Sequence, residues 1–295
     1  MSAPTVNGST AGTDKLTIAV VGAGGKMGMR VSNNLQRSDH TVFYAENSPA
    51  GQQRTTDAGR TVTDTATAVA EADVVILAVP DIALGPVSKE VVPQLRTGTV
   101  VLTLDPAAAY ANLLFQREDV EYAVAHPCHP SVFLQRKTPE ELADTFGGIA
   151  APQEVVAALE SNKPEVQAKA EQVIRQMYAP VLDVHWVTVK QLAYLEPTLV
   201  EVVACMIGSL LNEALRETVD KVGVPEPAAK AMLMGHTQVA LANGLRGDNP
   251  FSDACLIAMD YGREKIIKDD WKSIFDDAEL DHVLKQMLHL DHIGR

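Results

Sequence analysis

The stretch Thr17-Ile-Ala-Val-Val-Gly22-Ala-Gly24-Gly25-Lys26-Met27-Gly28 decides the fold. A short run of apolar and β-branched residues ends on a glycine, the signature of a strand buried on both faces, and the glycines lead into helical periodicity. Gly22 and Gly24 allow a tight turn and close approach of a ligand to the backbone, while Gly28 lets a helix lie close against the strand. Backbone N–H groups at that helix start, from Gly25 through Lys26 and Met27 to Gly28, form an anion site. In this strand–turn–helix setting the triplet predicts dinucleotide binding, against the plain alternative of a structural turn.

Working outward, strands are expected at Thr17–Gly22, Thr41–Glu46, Asp73–Val79, Thr99–Leu104 and Glu121–Ala125. Shorter ones follow at Ile149–Pro152 and Val181–Val187, with helices at Lys26–Gln36, Pro86–Gln94 and Pro164–Met177. This alternation predicts an α/β fold, a Rossmann-type doubly wound parallel sheet. Beyond about Trp186 strand signals stop, and helices are read at Thr188–Val222, Pro225–Asn243, Asp253–Lys268 and Ala278–Leu288. The expected division is a disordered arm over 1–14, a nucleotide-binding domain over 15–186 and an all-helical C-terminal domain over 187–295. The first C-terminal helix would run about 50 Å at 1.5 Å per residue, too long to bury against its own domain. A homodimer with intertwined helices is therefore expected.

Composition narrows the function. The 295 residues carry a formal charge of −13, with no basic cluster to attract nucleic acid or an anionic membrane surface. Three scattered cysteines, Cys128, Cys205 and Cys255, fit neither a disulfide scaffold nor zinc-finger spacing and suit a reducing cytoplasm. The first 14 residues lack the basic start and apolar centre of a signal peptide. Leu195–Leu211 is the most apolar run, but Glu196 and Glu201 within it favour a buried helix over a membrane span. The expected partners are a small molecule and a second copy of the chain.

Glu46 closes the second strand, where an acidic side chain would accept hydrogen bonds from the adenosine ribose and repel a 2′-phosphate. This favours NAD over NADP, with Arg54 on the following segment as the residue that argues the other way. Val79 and Pro80 leave the next long strand at its carboxyl end, beside the crevice where such cofactors lie.

His126 and His129 follow the strand Glu121–Ala125 at the same edge, and Pro127 and Pro130 bias both toward extended backbone. Such a pair can serve as general base, substrate ligand or metal site, or be structural. An unpartnered carboxylate in an apolar stretch is costly, so Glu196 and Glu201 are either interface partners or functional groups, with Glu196 nearer the domain junction. Lys190 would bind a substrate carboxylate or take a hydroxyl proton. His236 and Arg246 are further candidates, and Ser252 and Asp253 read as a helix cap.

The motifs Gly22-x-Gly-Gly-x-Met-Gly28 and Ile-Leu-Ala-Val-Pro80, followed by a helical domain, resemble the 6-phosphogluconate and β-hydroxyacid dehydrogenase superfamily, including its prephenate dehydrogenase branch. His126-Pro-Cys-His129-Pro, Lys190-Gln-Leu-Ala-Tyr-Leu-Glu196-Pro-Thr and Phe251-Ser-Asp-Ala-Cys255 look most like the D-apionate oxidoisomerase group. That resemblance implies NAD-dependent oxidation of a branched sugar acid coupled to a skeletal rearrangement. The sugar-acid dehydrogenases carry an Asn four residues after the catalytic Lys, and some a Glu at seven. Here Tyr194 and Pro197 follow Lys190 at those places, so a direct transfer of the Lys/Glu pair does not hold.

The implied chemistry suggests a ketol shift, which a divalent metal ion would assist; His129 and Glu196 are the expected ligands, and His126, Lys190 and Glu196 the expected catalytic groups. The alternatives are a prephenate-like or 3-hydroxyacid dehydrogenase without rearrangement, and a non-catalytic NAD-responsive binding protein.

Overall fold

The computed structural model describes residues 14–294. The expected arm lies outside the described residues except for Asp14, whose carbonyl accepts a hydrogen bond from Gln172 Nε2 at 2.9 Å. By compactness the chain divides into a first unit, residues 1–196 with 283–295, and a second, residues 197–282.

The first unit holds one eight-stranded sheet in the order β3-β2-β1-β4-β5-β6-β7-β8. Its chain runs β1 (Thr17–Val21), α1 (Lys26–Leu35), β2 (Thr41–Ala45), α2 (Pro49–Asp57), β3 (Val62–Thr63), α3 (Thr65–Ala70), β4 (Val74–Leu77) and α4 (Asp81–Val91). There follow β5 (Val100–Thr103), α5 (Ala107–Tyr110), β6 (Glu121–Pro127), α6 (Pro139–Ala143), β7 (Gln153–Leu159), α7 (Pro164–Met177) and β8 (Val181–Val187). The sheet is doubly wound, as the alternation implies. Ile18, Val20, Val74, Ile76, Val100 and Leu102 point to one face, under Val31 and Leu35 of α1 and Val173 and Ile174 of α7. Ala19, Val21, Val75, Leu77 and Val101 point to the other, under Val69, Leu84, Val91 and Ala108. Period-two alternation with both faces covered explains why the strands read as continuous apolar runs.

Three expectations are corrected. The sheet is not wholly parallel: β7 pairs antiparallel with β6 and parallel with β8. Ile149–Pro152 is not a strand, because the N–H groups of Ile149, Ala150 and Ala151 all donate to Asp144 Oδ2, and pairing starts at Gln153. The helix expected from Pro86 begins at Asp81, with Pro86 inside it. Proline there forfeits one internal hydrogen bond, and Pro80 provides the stop that turns the chain out of β4.

After β8 the chain is helical. α8 (Val189–Ala193) opens on a capping box in which Thr188 and Gln191 bond reciprocally. A π-helical stretch over Tyr194–Cys205, containing Pro197, continues into α9 (Met206–Asp220). α10 (Glu226–Arg246), α11 (Asp253–Ile266) and α12 (Asp277–Leu288) follow. The continuous helix Val189–Asp220 is long and apolar enough to cross a membrane by length and composition. Within the single chain only 6% of its most apolar window is covered.

Candidate active site

The glycine turn is built by close contacts. Gly22 adopts φ +82, and its N–H and that of Ala23 both donate to the Ala45 carbonyl. Glu46, directly after β2, reaches back to the turn: Oε2 accepts the Gly24 N–H at 2.9 Å, and Oε1 accepts the Ser48 N–H and hydroxyl at 2.9 and 2.8 Å. Burial alone would raise the Glu46 pKa, but hydrogen bonds from Ser48, Gly24 and Asn47 outweigh it and hold the carboxyl below its ordinary value. Arg54, the residue weighed in favour of a 2′-phosphate, donates from Nε to the Gly24 carbonyl at 2.8 Å and so is engaged in holding the turn.

Two cavities flank this turn. One, about 250 Å³, is lined by Gly22, Glu46, Ser48, Thr65 and Val79 among others, and its place beside the end of β2 is where the adenosine end of a dinucleotide is expected. The other, about 500 Å³, runs from Gly25, Lys26 and Met27 past Val79 and Pro80 to Asp105, His126, His129 and Phe146. The glycine turn and the pair Val79-Pro80 are thus brought together with both histidines at the carboxyl edge of the parallel strands.

His126 is the penultimate residue of β6. Its Nδ1 lies 3.1 Å from the Leu104 carbonyl, which only accepts hydrogen bonds, so Nδ1 carries the proton and Nε2 is left as an acceptor. Burial, reinforced by His129, pulls this imidazole below its ordinary pKa, against the opposing effects of Asp105 and the Leu104 carbonyl. Asp105 Oδ2 stands 3.9 Å from Nδ1, and Glu196 Oε1 stands 4.0 Å from Nε2. One ligand atom from each of Asp105, His126 and Glu196 falls within 4.8 Å of the others.

The grouping differs from the expected His129–Glu196 pair. His129 is not a member of it; its Nδ1 bonds to the Phe146 carbonyl at 2.7 Å, with the ring packed on Phe146. Nor is His129 extended, for its φ is +60 despite the following proline. In the sequence Asp105 is a single aspartate after a strand, and locally its Oδ1 accepts from the Ala107 N–H, two residues on, at 2.9 Å. The signal available was its place at the carboxyl end of β5, next to the strand bearing His126.

Lys190 is exposed on α8, which packs against α5 and β7, and it does not line the larger cavity. In the second unit, His236 is exposed and its Nδ1 bonds to the Met232 carbonyl within α10, while Arg246 ends that helix. Ser252 caps α11 through the Cys255 N–H, as its sequence context suggests.

The model of phosphogluconate dehydrogenase (decarboxylating), C-terminal part, matches residues 134–288, and that of the acetohydroxy acid isomeroreductase NADPH-binding domain matches residues 13–141. The chain is 63% identical over 279 residues to a D-apionate oxidoisomerase of Pectobacterium atrosepticum, covering 95% of this chain and 98% of that one. A D-apionate oxidoisomerase of Blautia hydrogenotrophica is 42% identical, over 94% of this chain and 98% of its own length. Among solved structures, a semialdehyde dehydrogenase NAD-binding protein from Cupriavidus necator, in complex with calcium and NAD, superposes with a TM-score of 0.89 at 41% identity, covering 93% of this chain and all of that one.

Proposed function

Because the chain belongs to the phosphogluconate-dehydrogenase-like enzymes, and among them to the D-apionate oxidoisomerase family, we propose that it oxidises D-apionate with NAD and rearranges the carbon skeleton to 3-oxoisoapionate. The observation that carries this reading is the larger cavity, where the nucleotide turn meets the His126 imidazole, with its acceptor Nε2 beside Glu196 and its Nδ1 side beside Asp105.

Glu46 would receive the ribose hydroxyls once the nucleotide displaces its bond to Gly24, and its negative charge favours NAD over NADP. The turn Gly22–Gly28 would take the pyrophosphate, leaving the nicotinamide beside Val79 and Pro80. His126 Nε2 would accept the proton of the hydroxyl being oxidised, and the nicotinamide, when bound, would supply the hydride acceptor. A neutral imidazole is ready for this at physiological pH, and Glu196 and Asp105 stabilise the imidazolium that forms.

The same trio supports a second use. Two carboxylates and an imidazole, within 4.8 Å of one another, make a donor set suited to a hard or borderline divalent cation. Asp105, His126 and Glu196 are the residues that would hold it, and when bound it would supply electrophilic stabilisation to the oxygens of a ketol shift. An imidazole lone pair given to a cation is not available to a proton, so the cation and the His126 base are alternative uses of the trio.

The test is NADH formation at 340 nm from D-apionate and a panel of linear aldonic acids, with and without chelator. Turnover of D-apionate is expected, and absence of turnover on every acid refutes the reading. Loss of activity with chelator, restored by a divalent ion, supports the cation; chelator-independent activity supports His126 as base.

A homodimer in the cytoplasm completes the proposal. In the second unit, Met232, Met234, Leu245, Ile257, Met259 and Tyr261 are each more than half exposed, an apolar surface that a second copy would cover. Sedimentation should give twice the chain mass of 31.7 kDa.

A further inference from the structure

The connection from β6 to β7 is more elaborate than a turn, and the acid–base reading leaves its built features without a task. Asp144, only 5% exposed, gathers four backbone N–H groups: Gly147 on Oδ1, and Ile149, Ala150 and Ala151 on Oδ2, at 2.9 to 3.1 Å. Gly147 and Gly148 both sit at φ +81, and a side chain on Gly147 would meet Gln153 Oε1 at 2.5 Å. Arg30 of α1 donates to the Gly147 carbonyl and lies 3.9 Å over the Phe146 ring. Phe146 in turn holds His129 through its carbonyl and its ring.

His129 itself is in the left-handed region, uncommon for any residue with a side chain and unfavourable before a proline. Strain of this kind persists where surrounding structure over-determines it, and it gathers at ligand sites. Its Nδ1 proton is committed to a carbonyl, so in the neutral ring Nε2 is an acceptor. Both histidines line the same cavity, edge to face, with ring centroids 6.3 Å apart. The wall therefore offers two acceptor nitrogens, of which the oxidation step needs one.

We propose that His129 is a specificity-determining residue, whose Nε2 accepts a hydrogen bond from the hydroxyl on the carbon next to the one oxidised. The site thereby selects acids carrying hydroxyl donors on adjacent carbons. This inference rests on the acid–base reading of the site given above.

The experiment compares the wild type with His129→Asn. Asparagine tolerates the left-handed backbone and can still donate to the Phe146 carbonyl, but it has no atom at the Nε2 position. Initial rates are measured on D-apionate and on its analogue lacking the adjacent hydroxyl, alongside calorimetric titration of D-apionate into the enzyme with NADH. Loss of one hydrogen bond should raise KM for D-apionate about tenfold with kcat within about twofold. The analogue should already bind about tenfold more weakly to the wild type, with no further loss in H129N. An equal loss on both acids, a loss confined to kcat, or an unchanged KM overturns the proposal. If the wild type turns over neither acid, the oxidoisomerase reading fails by itself. The calorimetric comparison still reads His129, and equal affinities of wild type and H129N, or no binding to either, overturn this inference.

Discussion

Replacing Gly28 with alanine tests how closely the glycine turn and α1 are apposed. A Cβ at Gly28 would lie 2.0 Å from the Gly22 carbonyl oxygen and 2.9 Å from the Ala23 carbonyl carbon, where ordinary contact starts at 3.4 Å. The turn and the helix must therefore part by about 1.4 Å, the distance from 2.0 to 3.4 Å. No flexible side chain can absorb this movement. Gly22 is tied to the Ala45 carbonyl, and Gly28 is buried at the start of α1. Overpacking costs about 1–3 kcal/mol, and a backbone clash belongs at the upper end. At roughly 2 °C per kcal/mol for a chain of this size, Tm should fall by about 6 °C. The N–H groups proposed to meet the pyrophosphate would shift by more than an ordinary hydrogen bond tolerates. Losing one charge-assisted bond there, about 1.5–3 kcal/mol, weakens NADH binding by about 10- to 100-fold. Scanning calorimetry and fluorescence titration with NADH read both quantities. A G28A protein that keeps the wild-type Tm and NADH affinity would refute the steric argument and, with it, the pyrophosphate assignment.

Three further outcomes follow from the same geometry. Glu46→Ala removes the acceptor shared by Gly24 and Ser48 and the charge that opposes a 2′-phosphate; the ratio of NADP to NAD use should rise by about tenfold, and an unchanged ratio in steady-state kinetics would remove Glu46 from the ribose site. For His126, kcat/KM should rise with pH through a value below the ordinary 6.5 and stay flat above it. Because the folded imidazole titrates below its unfolded value, its stability contribution is complete above pH 6.5 and declines as pH falls from 6.5 toward the folded value. Wild type and H126N should therefore differ in the acid slope of Tm against pH. Asp144→Ala leaves four backbone N–H groups without their acceptor, a cost of about 1–3 kcal/mol visible in urea unfolding, whereas Asp144→Asn should lose less.

What the sequence made legible were elements whose cause is local. β1, the glycine turn and α1 follow from an apolar run, three glycines and helical periodicity within one stretch, and α7 and β8 match their expected ends at Pro164–Met177 and Val181–Val187. β7 escaped because Gln153-Glu-Val-Val-Ala-Ala-Leu159 carries two alanines, weak strand formers, and its pairing with β6 across a long connection leaves no local mark. α2 and α3 escaped because they are short and bury few side chains, although Ser48 and Asp64 cap them in recognisable fashion. In the site, residue types pointed to His126 and Glu196, but Asp105 acquires meaning only from the strand order that sets β5 beside β6. The His129 backbone went the other way. A local rule, proline biasing its predecessor to an extended shape, gave way to tertiary contacts with Phe146.

The reversed direction of β7 has an evolutionary side. Parallel neighbours must be joined by a crossover that packs on the sheet, so their connecting chain is committed to the core. Antiparallel neighbours carry no such duty, and the segment joining β6 to β7 lies outside the sheet, tied to the nucleotide half through Arg30 and Asn34 of α1, which donate to the carbonyls of Gly147 and Gly148. The selection among acids proposed for His129 lies in this one segment, and swapping it between relatives together with the two α1 side chains that hold it should transfer that preference without redesign of the nucleotide turn.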